Sequence, residues 1–363
     1  MTINPFRLAL RRATLSQVRQ ITPVDVRSAR LLVARVYQEM ERDFGVLAPP
    51  VALHSPAPEL LAANWLILRE TLLADGSADR TAKEVAGSAV SLANTCPYCV
   101  AVHTATVNAL VRGHEADAIA QDRFDDIADD RLRAVARWAR DGAVRDTAAA
   151  HEPPFPAEQA PELIGVTVLF HYINRMVNTF LPEVPMPDGA PRAALPVVAK
   201  VLGVLTRRAA RRPKPAGTSA DLLPVAGLPA DLAWAAPSPA VADAFARAAD
   251  AVERGAQEAV PPSVAELLPR LLRDWDGRPP GPDRAWLTAA VAELPPADRP
   301  AGRLALLVAL ASWQTDAEAI DAYRAAAGAD ADRALIQLTS WASFTAARQI
   351  GSWIPLAERS AAS

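Results

Sequence analysis

The chain has 363 residues, of which 51% are hydrophobic and only 6% aromatic, and its formal net charge is -3. That length accommodates two domains of ordinary size, and that hydrophobic share a large core. A weakly acidic, aromatic-poor composition argues against nucleic acid or an anionic membrane as the main partner.

Ala and Leu dominate, and alternating runs of Val, Ile and Thr are scarce, so the expected class is all-α. Met1 to Arg12 is basic but has neither an uninterrupted apolar run nor a small-residue cleavage site. A surface helix or arm is expected there rather than a signal peptide. Val26 to Phe44 reads as a helix with Leu32, Val33, Val36 and Met40 on its apolar face, ended by Gly45 and Pro49-Pro50. Ser55-Pro56 opens a second helix through Ala74, with Ser55 as cap. A third runs from Arg80 to Asn94 and carries Glu84, and a fourth from Cys96 to Val111. Asp125 to Asp141 is amphipathic, and Pro161 to Leu181 is apolar almost all round, as expected of a buried helix.

Composition changes after Leu181. Residues 1–182 read as one helical domain, and 183–220 as a Pro/Arg-rich linker whose basic cluster, Arg207 to Lys214, is expected to be solvated. The longest apolar stretch here, Ala193 to Leu205, holds Lys200 and is too short to span a bilayer. Residues 221–363 read as a second helical domain without cysteine, and as a degenerate repeat of the first. Ser238-Pro239-Ala240 echoes Ser55-Pro56-Ala57, and Ile336 to Trp353 resembles Leu163 to Phe180, with Arg348 in the place of Arg175.

The chemistry concentrates in the first half. The two cysteines of the chain, Cys96 and Cys99, stand three apart in Thr95-Cys96-Pro97-Tyr98-Cys99. A lone, closely spaced pair is not a secreted disulfide framework, so a cytoplasmic location is expected. Pro97 suits a first helical turn, which places both sulfurs at a helix N-terminus, where positive partial charge favours thiolate. His103, four residues after Cys99, lies one turn away on the same face, in position to take the Cys99 proton. Glu84, twelve residues before Cys96, lies on the preceding helix in position to orient that histidine. Once a peroxide has oxidised Cys99 to a sulfenic acid, Cys96 is near enough to condense with it, and an external dithiol reopens the disulfide. Two other readings use the same residues: a zinc site of Cys96, Cys99, His103 and Glu84, and two buried structural cysteines. His171 and Arg175 lie four apart on an apolar helix, where a buried, hydrogen-bonded histidine is the favoured reading and a pocket lining the other.

Glu84, Cys96-Pro97-Tyr98-Cys99 and His103 resemble the active-site signature of the alkylhydroperoxidase D-like branch of the carboxymuconolactone decarboxylase superfamily. Val90 to Asn94, His103-Thr104 and Phe170 to Arg175 are also similar to peroxidase-related members, over about residues 25 to 182. The resemblance implies an all-α fold and a hydroperoxide reductase that needs no cofactor or metal. Cys99 would be the peroxidatic thiol, Cys96 the resolving one, and His103 with Glu84 the proton relay. It further implies a peroxide substrate, a dihydrolipoyl-type or similar external dithiol and a homo-oligomer. The chain departs from the pattern at Tyr98, where members often carry a second histidine; a tyrosine is a poor base near neutral pH. The contrasting expectation is a non-enzymatic helical protein, either redox-sensing or zinc-stabilised.

Overall fold

The computed structural model describes residues 5–111, 114–186, 209 and 212–355. Every regular element among them is helical, as composition and periodicity require. In chain order the α-helices are α1 (Pro5–Leu15), α2 (Leu31–Asp43), α3 (Pro49–Ala52), α4 (Pro58–Leu68), α5 (Arg80–Ala93), α6 (Pro97–Leu110), α7 (Glu115–Ala120), α8 (Asp130–Asp141), α9 (Arg145–Ala150) and α10 (Ala160–Phe180). Then follow α11 (Pro239–Ala259), α12 (Pro262–Asp274), α13 (Ala285–Ala292), α14 (Arg299–Leu310), α15 (Ala317–Ala327) and α16 (Ala331–Gly351). No helix among the described residues is long and apolar enough to cross a membrane.

α10 is the axis of the site-bearing half. Apart from Asn178, its residues from Pro161 to Phe180 are buried. One side packs on α5, which in turn packs on α6 and α8; another side packs on α16. α11 lies against both α4 and α16. One continuous apolar core therefore runs from Leu15 to Ile354 and joins helices on either side of residues 187–208. Most of the connector expected at 183–220 lies outside the described residues.

Three local expectations change. The helix expected from Val26 starts at Leu31, because Asp25 closes a separate turn: its carbonyl accepts from Ala29 N (2.9 Å) and its carboxylate from Arg27 N (2.8 Å). The backbone then passes through the left-handed region at Leu31, φ 45°. Ser55 does not cap α4; Ala57 holds that position, and Ser55 Oγ accepts from Val24 N at 2.8 Å. α4 widens at its end into a π turn, Arg69–Leu73, where Ala74 N donates to Arg69 O at 2.7 Å.

The end of the basic cluster is not solvated either. Lys214 is buried, its Nζ donating to the carbonyls of Ala209 (2.6 Å) and Arg212 (2.8 Å). Its backbone exchanges bonds with Asp75, Lys214 N to Oδ2 at 2.7 Å and Asp75 N to Lys214 O at 3.0 Å. Satisfied donors let an ammonium stay buried, although burial lowers its pKa.

The approach of α10 to α5 depends on Gly87. A Cβ there would meet the Phe170 ring at 2.5 Å, and Phe170 is itself buried. Gly87→Ala is expected to cost about 1–3 kcal/mol by overpacking. The check is thermal unfolding: a midpoint lowered by several degrees is expected, and an unchanged midpoint would mean that the ring shifts freely.

Candidate active site

The site is assembled from α5, α6 and α10. Asp79 caps α5, its carboxylate accepting from Ala82 N at 3.0 Å. α5 ends at Asn94, and Thr95 turns the chain with a left-handed φ of 50°. Cys96 occupies the N-cap of α6 with Pro97 in its first turn, the expected arrangement. Cys96 N donates to Ser91 O (2.9 Å) and its carbonyl accepts from Val100 N (3.0 Å), so the cysteine turn is bonded to both helices.

Glu84 and His103 are brought together. His103 Nδ1 lies 2.6 Å from Glu84 Oε2, and Arg80 Nε donates to Glu84 Oε1 at 2.8 Å. Burial alone would push the Glu84 carboxyl up, but the Arg80 cation and the His103 ring outweigh it and hold it at about 2. A carboxylate only accepts, so Nδ1 of His103 carries the proton and Nε2 of the neutral ring is left as the basic atom. Phe170 sets the ring plane, edge-on at 4.6 Å between centroids.

Cys96 and Cys99 are both free, buried thiols, 1% and 2% exposed. Here the helix-terminus expectation is overtaken. Burial pushes the Cys99 thiol well above its ordinary value, the neighbouring Cys96 pushes the same way, and the Asn174 side chain pulls back only in part. The partial charge of a helix end is worth about 0.3–1 kcal/mol at exposed sites, less than the desolvation of a buried anion. Cys99 therefore rests as a thiol. Tyr98 beside it stays protonated as well. Its hydroxyl donates to Gln17 Oε1 at 2.9 Å, and burial raises its pKa far above the ordinary tyrosine value.

Around the thiols lies a polar cluster that sequence reasoning did not assign. Asn94 Nδ2 donates to Asn174 Oδ1 (2.9 Å), Asn174 Nδ2 to Ser91 Oγ (3.2 Å), and His171 Nδ1 lies 3.1 Å from Asn94 Oδ1. His171 is held neutral by burial and by the adjacent Arg175. Arg175 donates to the carbonyls of His171 (2.6 Å) and Ala309 (2.9 Å), so both are buried and hydrogen-bonded as favoured. Arg80 was legible as the residue one turn before Glu84. Asn174 was legible only as an amide inside an apolar helix.

Among the described residues, no three His, Cys, Asp or Glu side chains are placed to hold a metal ion. Both oxygens of Glu84 are turned to Arg80 and His103 rather than to the sulfurs. A cavity of about 1050 Å³ lies elsewhere, lined by Glu70, Asp75, Glu162 and Trp234 among others, and it includes none of Glu84, Cys96, Cys99 or His103. Beside the cysteine turn is a cleft of about 30 Å³ between Asn94, Thr95, Arg175, Trp275, Ser312 and Trp313. It has room for a water molecule.

The Glu84 cluster links stability to acid. A carboxyl at about 2 when folded and near 4.5 when unfolded stabilises the fold above pH 4.5, and that contribution disappears as pH falls toward 2. It amounts to about 3 kcal/mol. Denaturant unfolding at pH 7, 5 and 3 is expected to show Glu84→Gln less stable than the parent at pH 7. The gap should narrow at pH 3; an equal gap at all three would remove Glu84 from the acid response.

The carboxymuconolactone decarboxylase family profile matches residues 59–141. That span holds α4 to α8 and all of Glu84, Cys96, Cys99 and His103. An alkyl hydroperoxide reductase of Mycobacterium tuberculosis is 37% identical over 337 residues, 93% of this chain and 95% of that one. A crystal structure of an alkylhydroperoxidase AhpD core, an uncharacterized peroxidase-related protein from Ralstonia eutropha, is 26% identical and covers 41% of this chain and 82% of its own, with a TM-score of 0.34.

Proposed function

The chain belongs to the AhpD-like group of the carboxymuconolactone decarboxylase superfamily as a peroxidase-related protein, and from that premise we propose that it is a thiol-dependent hydroperoxide reductase. The observation that carries this reading is the 2.6 Å contact between Glu84 and His103, on the helices that flank and bear a free Cys-x-x-Cys pair. It supplies a base of fixed tautomer one helical turn from a thiol that burial keeps protonated. The similarity to an alkyl hydroperoxide reductase of Mycobacterium tuberculosis supports the same reaction class.

In the proposed cycle His103 Nε2 takes the Cys99 proton, directly or through a water. The thiolate attacks the terminal oxygen of ROOH; an S–O bond forms and the O–O bond breaks. The departing alkoxide takes a proton back from His103, giving ROH and Cys99 sulfenic acid. Glu84 holds the imidazolium in place during this exchange. The Cys96 thiol then condenses with the sulfenic acid, forming the disulfide and releasing water. An external dithiol, of dihydrolipoyl type or similar, returns two electrons by exchange and leaves as its own disulfide. Peroxide is reduced by two electrons and the dithiol oxidised by two, with no cofactor in the balance.

The test is peroxide consumption with a dithiol supplied, together with mass spectrometry of the protein. Cys99→Ser is expected to abolish consumption. Cys96→Ser should consume about one equivalent and stop, with a sulfenic acid trapped on Cys99. His103→Ala is expected to slow turnover by roughly 10²–10⁴-fold. Full consumption by Cys99→Ser would overturn the reading. The parent rate should still climb between pH 7 and 9, because the raised Cys99 pKa leaves thiolate scarce at neutrality.

A further inference from the structure

The cleft beside the cysteine turn has a cation at its floor. Arg175 lines it and is 6% exposed, whereas Thr95 and Trp313 form an exposed rim. A guanidinium has five N–H groups. Arg175 Nε donates to Ala309 O at 2.9 Å and Nη1 to His171 O at 2.6 Å. Nη2 donates to no group among the described residues, and one hydrogen of Nη1 is also left over. Arg175 forms no ion pair with a carboxylate among the described residues, and burial lowers its pKa to about 10 with no anion to hold it up. Asp276, between the lining residues Trp275 and Gly277, is turned to Arg278. Arg69 shows how this chain otherwise treats a buried arginine: it is held by both Asp43 and Glu70. A buried cation with neither a counter-charge nor a full set of acceptors is costly. The two backbone carbonyls need a donor, but they do not need the charge.

We propose that this cleft binds the carboxylate of a small reactant of the cysteine pair, with Arg175 as its anchor and the Trp275 and Trp313 rings against the apolar body that carries it. A carboxylate supplies the missing counter-charge and two planar acceptors for the open edge of the guanidinium. At about 30 Å³ the cleft takes that head group and leaves the rest of the molecule outside. The rest then lies along the rim, where Thr95 is followed directly by Cys96. Trp275 already covers one side of the guanidinium, its ring centroid 5.9 Å from Arg175 Cζ. Two reactants of the proposed cycle can carry the group, the hydroperoxide and the external dithiol. The proposal rests on that cycle for the reactant, but not for the binding of the anion.

Binding is measured first, without turnover, by isothermal titration calorimetry with octanoate and octanamide. Octanoate is expected to bind roughly tenfold more tightly, the scale of a charge-assisted hydrogen bond. Arg175→Gln should erase that difference, and so should Trp313→Glu, which brings a carboxylate of the chain's own to the exposed rim. If Arg175→Gln does not fold, as judged by circular dichroism, Trp313→Glu decides alone. Equal binding of the two probes, or a difference that survives the variants, would overturn the proposal. Turnover then identifies the reactant. The hydroperoxide of linoleic acid is compared with that of its methyl ester, and dihydrolipoate with dihydrolipoamide. A preference for the acid, expressed in KM rather than kcat, is expected in the pair whose carboxylate docks. Turnover with no such preference in either pair would remove the reactant role. Selective binding of octanoate by a protein that consumes no peroxide would keep the anion site and remove the peroxidase reading instead.

Discussion

A carboxylate buried without compensation costs more than most single interactions return, and Glu84 is 1% exposed. Its compensation is complete: one oxygen faces the Arg80 guanidinium and the other the His103 ring. Much of the site follows from that. Arg80 is on the same helix, so its contact sets the rotamer of Glu84. His103 is on α6, so its contact fixes how α6 lies against α5, and with it where the cysteine turn begins. Because the carboxylate only accepts, it also determines which ring nitrogen of His103 is free. A structural requirement, the satisfaction of a buried charge, thereby sets the tautomer on which the proposed chemistry depends.

α10 performs the complementary task from the other side. Its apolar residues join α5 to α16 in a common core, while its few polar residues bond the cysteine turn. Arg175 and Asn178 extend this bonding across to Ala309, in the last turn of α14, and to Ser312, just beyond its end. The cysteine-free second half thus reaches within one side chain of Asn94 and helps to fix α10. The burial of Arg175, with a pKa lowered to about 10, is the electrostatic cost of that tie.

The helices bearing Glu84, the cysteines and His171 were legible to within one or two residues, because their ends carry Asp79, Pro97 and Pro161, which act locally. The Glu84–His103 contact was legible as intervals, but its distance depends on how α5 and α6 pack. The start of α2 was not legible, since the turn closed by Asp25 competes with a helix that its residues also permit. Lys214 read as solvated because a basic cluster usually is; its burial depends on Asp75, 139 residues earlier. Asn174 illustrates the general difficulty. An amide in an apolar run signals a buried polar partner, but nothing local points to Ser91 and Asn94, 83 and 80 residues earlier.

Burial of Cys99 and the proposed relay belong to one arrangement. An exposed thiolate of low pKa reacts with whatever oxidant arrives. A desolvated thiol is inert until its proton is removed, and removal costs more where the anion is poorly solvated. In the proposed mechanism His103 supplies the acceptor and Glu84 stabilises the resulting cation. Glu84 is oriented in the resting protein by Arg80, which plays no chemical part, and His103 in turn by Glu84. Little reorganisation is then required when charge develops, which is the condition under which fixed dipoles lower a barrier most effectively. The raised resting pKa of Cys99 is in this view compatible with catalysis, because the mechanism needs the thiolate only while the peroxide is in place to consume it.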